Sequence, residues 1–529
     1  MTPHWTWDNG RTGVGSTRLA GWSDGYTTDT TYQDLVNTDM CPVWFSMISV
    51  LNGQPPLAVD GSMVWLDVAC GTGLGTVAVA AANPNIEVWG VDYNPTHIER
   101  ARRLARAAEL PNCHFVEASF EDLATQRHLG PFEIDVAVVN GVYSWVSAAN
   151  QRHIVDAIGA RLRAGGLAYV MYETAPGWSS MNPLAEALRL WVDADGRAGH
   201  LAFHDAAAAV GAVLDSGARF APLGRREERS RAGWADAHGH YAAHEYLGSN
   251  FAPLHAHDVF ATLSTAKCSL VGSLAPLDHH HYFSTPPEVA DLVEGATDPV
   301  LAALVRDLAT ERALRRDLFR RGKAHPTRFE QDDWLHRITI AGTGDTLREE
   351  PLELEAMKVN LDPQFHAPLI QALIETDLNV ATVMAIHPEW AFTDAVTAMA
   401  LLVAGGYAVP VRPGPPSPEA TAACQRLNEV LAYERQVGRD HNCLASPAAG
   451  AMVALDLVET LALDAIWRGT TDDVSALADQ VQASFSAQGL FVREKNELIK
   501  DPAAAREIIE RRVTNLLSRQ PALARLGIV

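Results

Sequence analysis

A glycine-rich turn over residues 70–75 most constrains what this chain can fold into. An apolar strand is predicted directly before it, over 64–68, and a helix-compatible run follows the turn. A second predicted strand, over 87–91, ends directly before Asp92. Strand, turn, helix and strand in this order form a parallel β-α-β unit, and glycines let the backbone of such a turn approach a ligand closely. Residues 64–95 therefore predict a nucleotide-binding unit.

Two carboxylates indicate which nucleotide this unit binds. Asp67 lies inside the first strand, where it would repel the pyrophosphate of a dinucleotide but would suit the cationic amino end of S-adenosylmethionine. Asp92 ends the second strand, a place from which a carboxylate accepts both hydroxyls of a ribose. Ala69, Gly71 and Gly73 form the turn between the two carboxylates. The sequence thus predicts S-adenosylmethionine as the cofactor and S-adenosylhomocysteine as the product.

The remaining candidate cofactor residues follow neighbouring strands. Ser119 and Phe120 come after the third predicted strand, where they could hydrogen-bond to the adenine and stack on it. Tyr93 directly follows the second strand, and Asn140 directly follows the fourth. We expect these four residues to complete the cofactor site.

The turn motif carries a resemblance. The run DVACGTGLG, residues 67–75, resembles the turn of class I S-adenosylmethionine-dependent methyltransferases, which have a glycine where this chain has Ala69. Residues 140–178, with the elements GVYSWV and YETAPGW, resemble the members that carry a methyltransferase regulatory domain. Some of those are bacterial protein lysine methyltransferases. Residues 25–42 resemble the lead-in segment of the same group. The resemblance implies an enzyme whose substrate mouth lies at the carboxyl ends of the strands.

The alternation of strands and helices, together with this resemblance, predicts an α/β fold: a Rossmann-like class I methyltransferase sheet with a helical middle domain and a separate C-terminal domain. A winged-helix-like arrangement is one option for the mostly helical C-terminal part. A strand is expected over 279–285 and a basic helix over 311–323. The predicted domains are an N-terminal cap over 1–62, the cofactor domain over 63–178 with 255–285 as a candidate to complete it, a helical regulatory domain over 179–345, and the C-terminal domain over 346–529.

Two loops at the predicted mouth supply candidate acceptor residues. Aromatic walls hold an alkyl-ammonium or a sulfonium by cation–π contact, and a polar group can align the nucleophile with the methyl group. For Tyr143 and Trp145 the alternative is that they only pack the following helix onto the sheet. Catalytic roles are expected for Asn140, Tyr143 and Glu173, and substrate binding for Tyr143, Trp145, Tyr172 and Trp178.

Glu173 departs from the group that the chain resembles, which usually has Asn at this place. A carboxylate there could fix a lysine ammonium and take up its proton, because methyl transfer needs the neutral amine and free lysine has a pKa of about 10.4. A helix-capping or salt-bridging role is the alternative for this residue. Glu173 therefore favours an amine or a cationic peptide as the acceptor.

A run of histidines raises the question of a metal site. Asp278 precedes His279, His280 and His281, and alternate residues of a strand share a face, so two of the histidines could share a metal ion. Methyl transfer needs no metal in most class I enzymes. A polar strand end is the preferred interpretation, and no metal is predicted.

Composition and charge limit the partners. The chain has 529 residues, enough for two to four domains, and a formal net charge of −22. That charge disfavours nucleic acid, whereas an acidic surface attracts a basic substrate or simply maintains solubility. The first residues form no cationic apolar leader, no apolar run approaches the roughly 18 residues of a membrane span, and the six cysteines are scattered. We expect a cytoplasmic protein with neither nucleic-acid nor membrane partners.

The preferred function is S-adenosylmethionine-dependent methylation of a protein or peptide side chain, with lysine N-methylation as the first choice. One alternative is O-methylation of a carboxylate or hydroxyl of a peptide natural product or a small molecule. A second alternative is a non-catalytic regulator that binds the cofactor.

Overall fold

The structure, a computed structural model, describes residues 36–126, 128–131, 133–216, 246–248, 250–436, 439, 441–469, 473–494 and 497–529. Most of the predicted N-terminal cap lies outside the described residues, as do residues 217–245 of the predicted regulatory domain. None of the described helices is long and apolar enough to cross a membrane.

Seven strands form one mixed sheet: β1 (Met63–Val68), β2 (Ile86–Asp92), β3 (Cys113–Glu117), β4 (Ile134–Val139), β5 (Leu162–Glu173), β6 (Cys268–Ser273) and β7 (Leu314–Arg321). Their order across the sheet is β3-β2-β1-β4-β5-β7-β6. The first five strands are parallel, whereas β7 pairs antiparallel with both β5 and β6. The predicted Rossmann-like α/β fold is confirmed, and β1 and β2 lie where strands were predicted over 64–68 and 87–91.

Helices flank this sheet and make up most of the remaining chain. The described α-helices are α1 (Pro42–Leu51), α2 (Leu74–Ala82), α3 (Pro95–Ala107), α4 (Phe120–Thr125), α5 (Ala148–Arg161), α6 (Ala175–Trp178), α7 (Asn182–Asp195), α8 (Gly199–Asp215), α9 (Ala256–Thr265), α10 (His281–Ser284), α11 (Ala290–Glu294), α12 (Pro299–Thr310), α13 (Arg328–His336), α14 (Pro363–Glu375), α15 (Val380–Ile386), α16 (Phe392–Ala404), α17 (Pro418–Gln436), α18 (Leu457–Trp467), α19 (Val474–Gln488) and α20 (Pro502–Arg525). Short 3₁₀ turns lie at Tyr143–Trp145 and Pro287–Val289.

The C-terminal region is mostly helical, as predicted, and contains small antiparallel sheets. Helices α14, α15 and α16 accompany a three-stranded sheet. The minor strands are β8 (Thr339–Gly342), β9 (Leu352–Glu353), β10 (Lys358–Val359), β11 (Leu378–Asn379), β12 (Ala408–Val411), β13 (Cys443–Ser446), β14 (Ala451–Ala454), β15 (Val492–Glu494) and β16 (Glu497–Ile499). The three-stranded sheet has the order β11-β8-β12.

Side chains of the central strands alternate between two apolar cores, because successive residues of a strand point to opposite faces. Leu66 and Val139 belong to one core, which α5 and α9 cover. Trp65 and Val138 belong to the other, which continues into the C-terminal region through residues such as Leu427 of α17. One face of the seven-stranded sheet therefore shares its core with the C-terminal helices.

The basic helix expected over 311–323 is wrong, because this segment forms β7 in the interior of the sheet. The charged residues of this segment indicated an exposed helix, but inside the protein several of them form ion pairs. The Arg315 guanidinium is 5% exposed and bonds both to Asp317 in the same strand and to Asp307 of α12, each at 2.7 Å. Paired charges can be buried where single ones cannot.

The strand expected over 279–285 is also wrong, because residues 281–284 form the short helix α10. The reason lies in Asp278. Its carboxylate binds both terminal nitrogens of the Arg312 guanidinium, at 2.7 and 3.0 Å, and its backbone N–H donates to the carbonyl of Ala275. These bonds hold the chain in a turn ahead of the histidines, so the alternation of a strand does not develop.

We expect Asp278→Asn to lower the free energy of unfolding at pH 7 by about 2–3 kcal/mol, the amount that linkage assigns to its lowered pKa, because it leaves the buried Arg312 guanidinium without its bidentate partner. Burial raises the pKa of Asp278, but Arg312 outweighs this effect and holds the pKa at about 2, below its ordinary 3.8. The pair therefore stabilises the fold above pH 4, and its contribution is lost as the pH falls toward 2. Urea denaturation across this pH range should show the two proteins converging in acid, and a difference that stays constant would contradict the assignment.

Candidate functional site

A cavity of about 550 Å³ lies at the carboxyl ends of the parallel strands, where open α/β sheets bind their ligands. Residues from the ends of β1, β2, β3, β4 and β5 line it, together with residues from the chain ahead of α1 and after α8. The cavity brings together most of the cofactor residues predicted from the sequence, namely Asp67, Ala69, Gly71, Asp92, Tyr93, Ser119, Phe120 and Asn140.

The glycine turn needs glycine for two different reasons. Gly71 and Gly73 have φ values of +56° and +80°, in the left-handed region that glycine adopts without steric cost. Gly73 is also crowded, since a Cβ there would lie 2.4 Å from the Cβ of Ala101 on α3. Gly73 does not line the cavity; it lets α3 pack directly against the turn. Ala69 has a φ of +63°, so its side chain is tolerated in a conformation that costs roughly 1–2 kcal/mol.

Asp67 presents a buried carboxylate to the cavity. It is 3% exposed, and one of its oxygens accepts a hydrogen bond from the Thr76 hydroxyl at 2.6 Å. Burial raises the pKa of Asp67 to about 6, the Thr76 bond opposes this rise, and the nearby Asp92 adds to it. A cationic group bound beside Asp67 would reverse the shift, because opposite charge favours the ionised form. This carboxylate is therefore suited to an ammonium ligand.

Asp92 is fixed by the backbone on both sides. One carboxylate oxygen accepts the N–H of Gly71 at 3.0 Å, and the other accepts the N–H of Asn94 at 2.8 Å. Nδ1 of His97 lies 3.4 Å from the second oxygen. The side chain is 7% exposed, and both oxygens keep acceptor capacity toward the cavity. A pair of vicinal hydroxyls is the ligand that such a fixed carboxylate can accept.

Ser119 has a local structural role that the sequence analysis did not assign to it. Its hydroxyl caps α4 by accepting the N–H of Asp122 at 3.1 Å, and the Asp122 carboxylate binds the hydroxyl in return at 2.7 Å. This capping box fixes the start of α4 and so orients Phe120, the first residue of the helix, at the cavity wall. Phe120 is half-buried, which leaves an aromatic face for an adenine.

Asn140 is oriented by residues on either side of it. Its Oδ1 accepts a hydrogen bond from Nδ2 of Asn37 at 2.8 Å and another from the Tyr169 hydroxyl at 3.4 Å. Nδ2 of Asn37 also contacts the sulfur of Met171, at 3.6 Å. These contacts fix which end of the Asn140 amide is the acceptor, so its NH₂ group is available to the cavity.

An aromatic wall borders the same end of the cavity. Trp145 stacks on Phe251, with ring centroids 4.3 Å apart and an interplanar angle of 29°. Phe251 belongs to a segment that crosses the ends of β4 and β5: the N–H of Ala252 donates to Ser144, and the N–H of Leu254 donates to Glu173. The neighbouring Asn250 lines the cavity. The chain after α8 thus supplies part of the wall.

Four predicted acceptor residues do not line the cavity. Tyr143 is 2% exposed in the core on the α5 side, where burial raises the pKa of its hydroxyl to about 12. Tyr172 is fully buried and donates to Asp317 at 2.7 Å, within the ion pairs of β7. Trp178 is 1% exposed and meets Phe251 edge-on. Glu173 is 8% exposed, with its backbone N–H bonded to the Ser144 hydroxyl.

Several lining residues were missed by the sequence analysis. Asn37, His97, His153 and Asn250 all line the cavity. Only His97 carried a usable signal, because it stands in the first turn of the helix that follows Asp92. The other three reach the site through tertiary packing, which residue spacing does not encode.

The histidine run lies elsewhere. Nδ1 of His281 lies 2.8 Å from Nη2 of Arg306, and the Asp278 carboxylate accepts a hydrogen bond from Arg312. Within the ranges that the structure describes, no group of three or more His, Cys, Asp or Glu side chains is arranged to hold a metal ion.

The charges of the lining suit a cationic ligand. Asp67, Asp92 and Glu121 are carboxylates, and none of the described lining residues is Lys or Arg. S-adenosylmethionine carries an ammonium, a sulfonium, a ribose diol and an adenine. Asp67 fits the ammonium, Asp92 the diol and Phe120 the adenine face, so the residues present fit this group.

Two family profiles match parts of the chain. One, described as a methyltransferase domain, matches residues 66–168, and the other, described as a predicted methyltransferase regulatory domain, matches residues 238–321. The uncharacterized protein sll1526 of Synechocystis sp. is 25% identical over 519 residues, which cover 96% of this chain and 99% of the relative. The uncharacterized protein RP028 of Rickettsia prowazekii is 28% identical over 211 residues, or 39% of this chain and 81% of the relative.

Among solved structures, PKMT2 from Rickettsia typhi in complex with AdoHcy is similar over nearly the whole chain. Its TM-score is 0.67 at 18% identity, and the match covers 94% of this chain and 99% of that one. A second structure of the same protein gives a TM-score of 0.65. At this identity the likeness concerns the fold, which extends through the C-terminal region.

Asp92→Asn should raise the Kd for S-adenosylhomocysteine by about 10- to 100-fold, because the variant loses the charge and turns an NH₂ group toward one of two backbone N–H donors. Isothermal titration calorimetry measures this directly. Glu121→Gln is the matched control: its exposed carboxylate lines the same cavity, and its loss should change Kd by no more than about twofold. An unchanged Kd for Asp92→Asn would remove the ribose role from this residue.

Proposed function

We propose that this chain, which is an S-adenosylmethionine-dependent methyltransferase carrying a methyltransferase regulatory domain, methylates a protein or peptide side chain, preferentially the amine of a lysine. The predicted family, enzyme class and cofactor are confirmed by the two family profiles and the fold. The identity of the methyl acceptor is what we propose here. The observation that carries it is the aromatic wall of Trp145 and Phe251 beside a cavity without described Lys or Arg side chains.

A lysine side chain has an apolar stem and a polar tip that is cationic until it loses a proton. Stacked aromatic rings accommodate both, because they pack against methylenes and attract an ammonium by cation–π contact. An acidic lining attracts the same group and would repel a carboxylate acceptor. The net charge of −22 extends this preference to the approach of a basic peptide.

The chain contributes to transfer mainly by positioning. When bound, S-adenosylmethionine supplies an electrophilic methyl group on a sulfonium. Asn140, whose amide is held by Asn37 and Tyr169, lines the cavity at the end of β4, where its fixed side chain limits the positions that an acceptor can take. The aromatic wall confines the acceptor to one approach direction, and alignment of this kind accelerates a bimolecular step without covalent help from the protein.

The amine must reach the methyl group neutral, so its proton has to leave first. His153 of α5 lines the cavity and has an imidazole that can accept this proton. Glu173 acts as a positioning residue in this proposal: its carbonyl accepts the N–H of Leu254, which ends the segment that carries Asn250 and Phe251. Tyr143, Tyr172 and Trp178 support that segment and β5 from the surrounding core.

Methyl-labelled S-adenosylmethionine incubated with the full chain and a cell lysate should label lysine side chains of proteins, in a form stable to base. Mass spectrometry of the labelled peptides identifies the methylated atom. Label that base hydrolysis releases would indicate a carboxylate acceptor and replace the lysine proposal by O-methylation. Cofactor binding without transfer to any acceptor would support a non-catalytic regulator.

Phe251→Ala should raise the KM for the labelled peptide by about 2- to 10-fold and leave the Kd of the cofactor unchanged, because Trp145, which lines the cavity, loses the ring on which it stacks. Phe329→Ala is the matched control, because that ring is 82% exposed on α13. Glu173→Gln keeps the backbone carbonyl that accepts the N–H of Leu254, so it should leave both turnover and the cofactor Kd nearly unchanged. If Phe251→Ala leaves KM unchanged, the aromatic wall does not bind the acceptor.

A further inference from the structure

Helix α3, which backs the cofactor cavity, is held from outside by α17 of the C-terminal region. Arg100 of α3 donates two hydrogen bonds to the carboxylate of Glu434, at 2.9 and 3.0 Å. At the C-terminal end of α3, Nε of Arg426 donates to the carbonyl of Ala108, the residue that follows the helix, at 3.1 Å. The contacts occur in reverse order along the two helices, so α17 runs antiparallel to α3 and is hydrogen-bonded to it at two points.

The Glu434 contact is rigid and nearly buried. The carboxylate of Glu434 is 14% exposed and the Arg100 side chain 6%. Nε2 of His441, whose side chain is 0% exposed, lies 2.9 Å from the same carboxylate. Burial raises the pKa of Glu434, but the hydrogen bonds from His441 and Arg100 outweigh it and hold the pKa at about 2. The carboxylate is ionised at any physiological pH, and its planar bidentate pair fixes the angle of α3 as well as its distance.

The adjoining face of α3 forms part of the cofactor site. His97 precedes Arg100 by one turn, lines the cavity and has its Nδ1 3.4 Å from the Asp92 carboxylate. Ala101 packs against Gly73, where there is no room for a Cβ. Any rotation of α3 would therefore displace the surroundings of Asp92 and the glycine turn together.

The helix on the other side of the turn, α2, is attached to the same region. Asn83, which follows α2, donates to the carbonyl of Gly450 at 2.8 Å. Nη1 of Arg412 donates to the carbonyl of Ala82 at 3.3 Å. Side chains of α2 and α17 also belong to one apolar core. The C-terminal region thus holds both helices that flank the glycine turn.

We propose that Arg100, Glu434 and His441 form a positioning cluster through which the docked C-terminal region sets the affinity of the cofactor site. The cluster touches neither cofactor nor acceptor; it acts through α3 on Asp92 and Gly73. This inference rests on the cofactor site alone, so it stands or falls independently of the acceptor.

Glu434→Gln in the full chain should weaken S-adenosylhomocysteine binding by about 10-fold, within the 5- to 150-fold range of coupling between sites. Gln keeps the shape of the side chain but cannot bind the guanidinium and the imidazole as a charged acceptor. Calorimetry gives Kd, and steady-state kinetics should show a matching rise in KM for S-adenosylmethionine with kcat nearly unchanged.

Glu459→Gln is the matched control. Its carboxylate is 12% exposed and pairs with Arg519 of α20, inside the C-terminal region and away from α3. This variant should lower Tm by a similar amount and leave Kd unchanged. A Kd for Glu434→Gln within twofold of wild type, or an equal rise in both variants, would overturn the proposal.

A third variant keeps the inference testable if Glu434→Gln does not fold. Arg426→Gln removes the hydrogen bond to the carbonyl of Ala108. The Arg426 side chain is 37% exposed, so its loss is tolerated more easily. This variant should weaken S-adenosylhomocysteine binding by about 2- to 5-fold, less than in Glu434→Gln, because one partly exposed hydrogen bond is lost. An unchanged Kd in that variant would count against control by α17.

Discussion

The hydrogen bond from the N–H of Gly71 to the Asp92 carboxylate is the contact on which the site depends. It joins the glycine turn after β1 to the loop after β2, and the second oxygen of the same carboxylate accepts the N–H of Asn94 at the start of α3. One side chain therefore fixes two loops and the orientation of a helix. The charge that orders the turn is also the group suited to the ribose, so the protein's own hydrogen bonds orient that group, and such preorganisation reduces the ordering cost of binding.

The end of the cavity that we propose for the acceptor is built differently, from packing rather than from one motif. β7 brings buried arginines and aspartates beside β5, and Tyr172 donates to Asp317 within that network. The segment after α8 then lies across the ends of β4 and β5 and brings Phe251 against Trp145. The regulatory-domain match includes both β7 and Phe251. The region that matches the regulatory-domain profile and the seven-stranded sheet therefore form one structural unit beside the Trp145–Phe251 wall.

Much of the cofactor half could be predicted from sequence, because local chemistry determines it. A carboxylate in a strand, glycines in a turn and a carboxylate ending the next strand each act within a few residues of their neighbours, so Asp67, Gly71 and Asp92 were found from spacing. Ser119 was found as a lining residue, but its capping of α4 was not foreseen.

The acceptor half resisted prediction for a physical reason. In the sequence alone, Arg315 and Asp317 are typical of an exposed helix. Arg315 pairs with Asp307 of α12 as well as with Asp317, and these ion pairs make an interior strand possible. Tyr143, Tyr172 and Trp178 stand next to the mouth in sequence, yet their rings point into the core, because apolar burial determines their direction. Asn37 and Asn250 reach the cavity from distant parts of the chain, and periodicity carries no information about such contacts.

A crystal structure of the full chain with S-adenosylhomocysteine tests the central claim most directly. The ribose hydroxyls should lie within hydrogen-bond distance of both Asp92 oxygens, the amino group toward Asp67, the adenine against Phe120, and the sulfur toward Asn140 and the ring of Trp145. A cofactor bound away from Asp92, or with its sulfur turned from the Trp145–Phe251 wall, would contradict this account of the site.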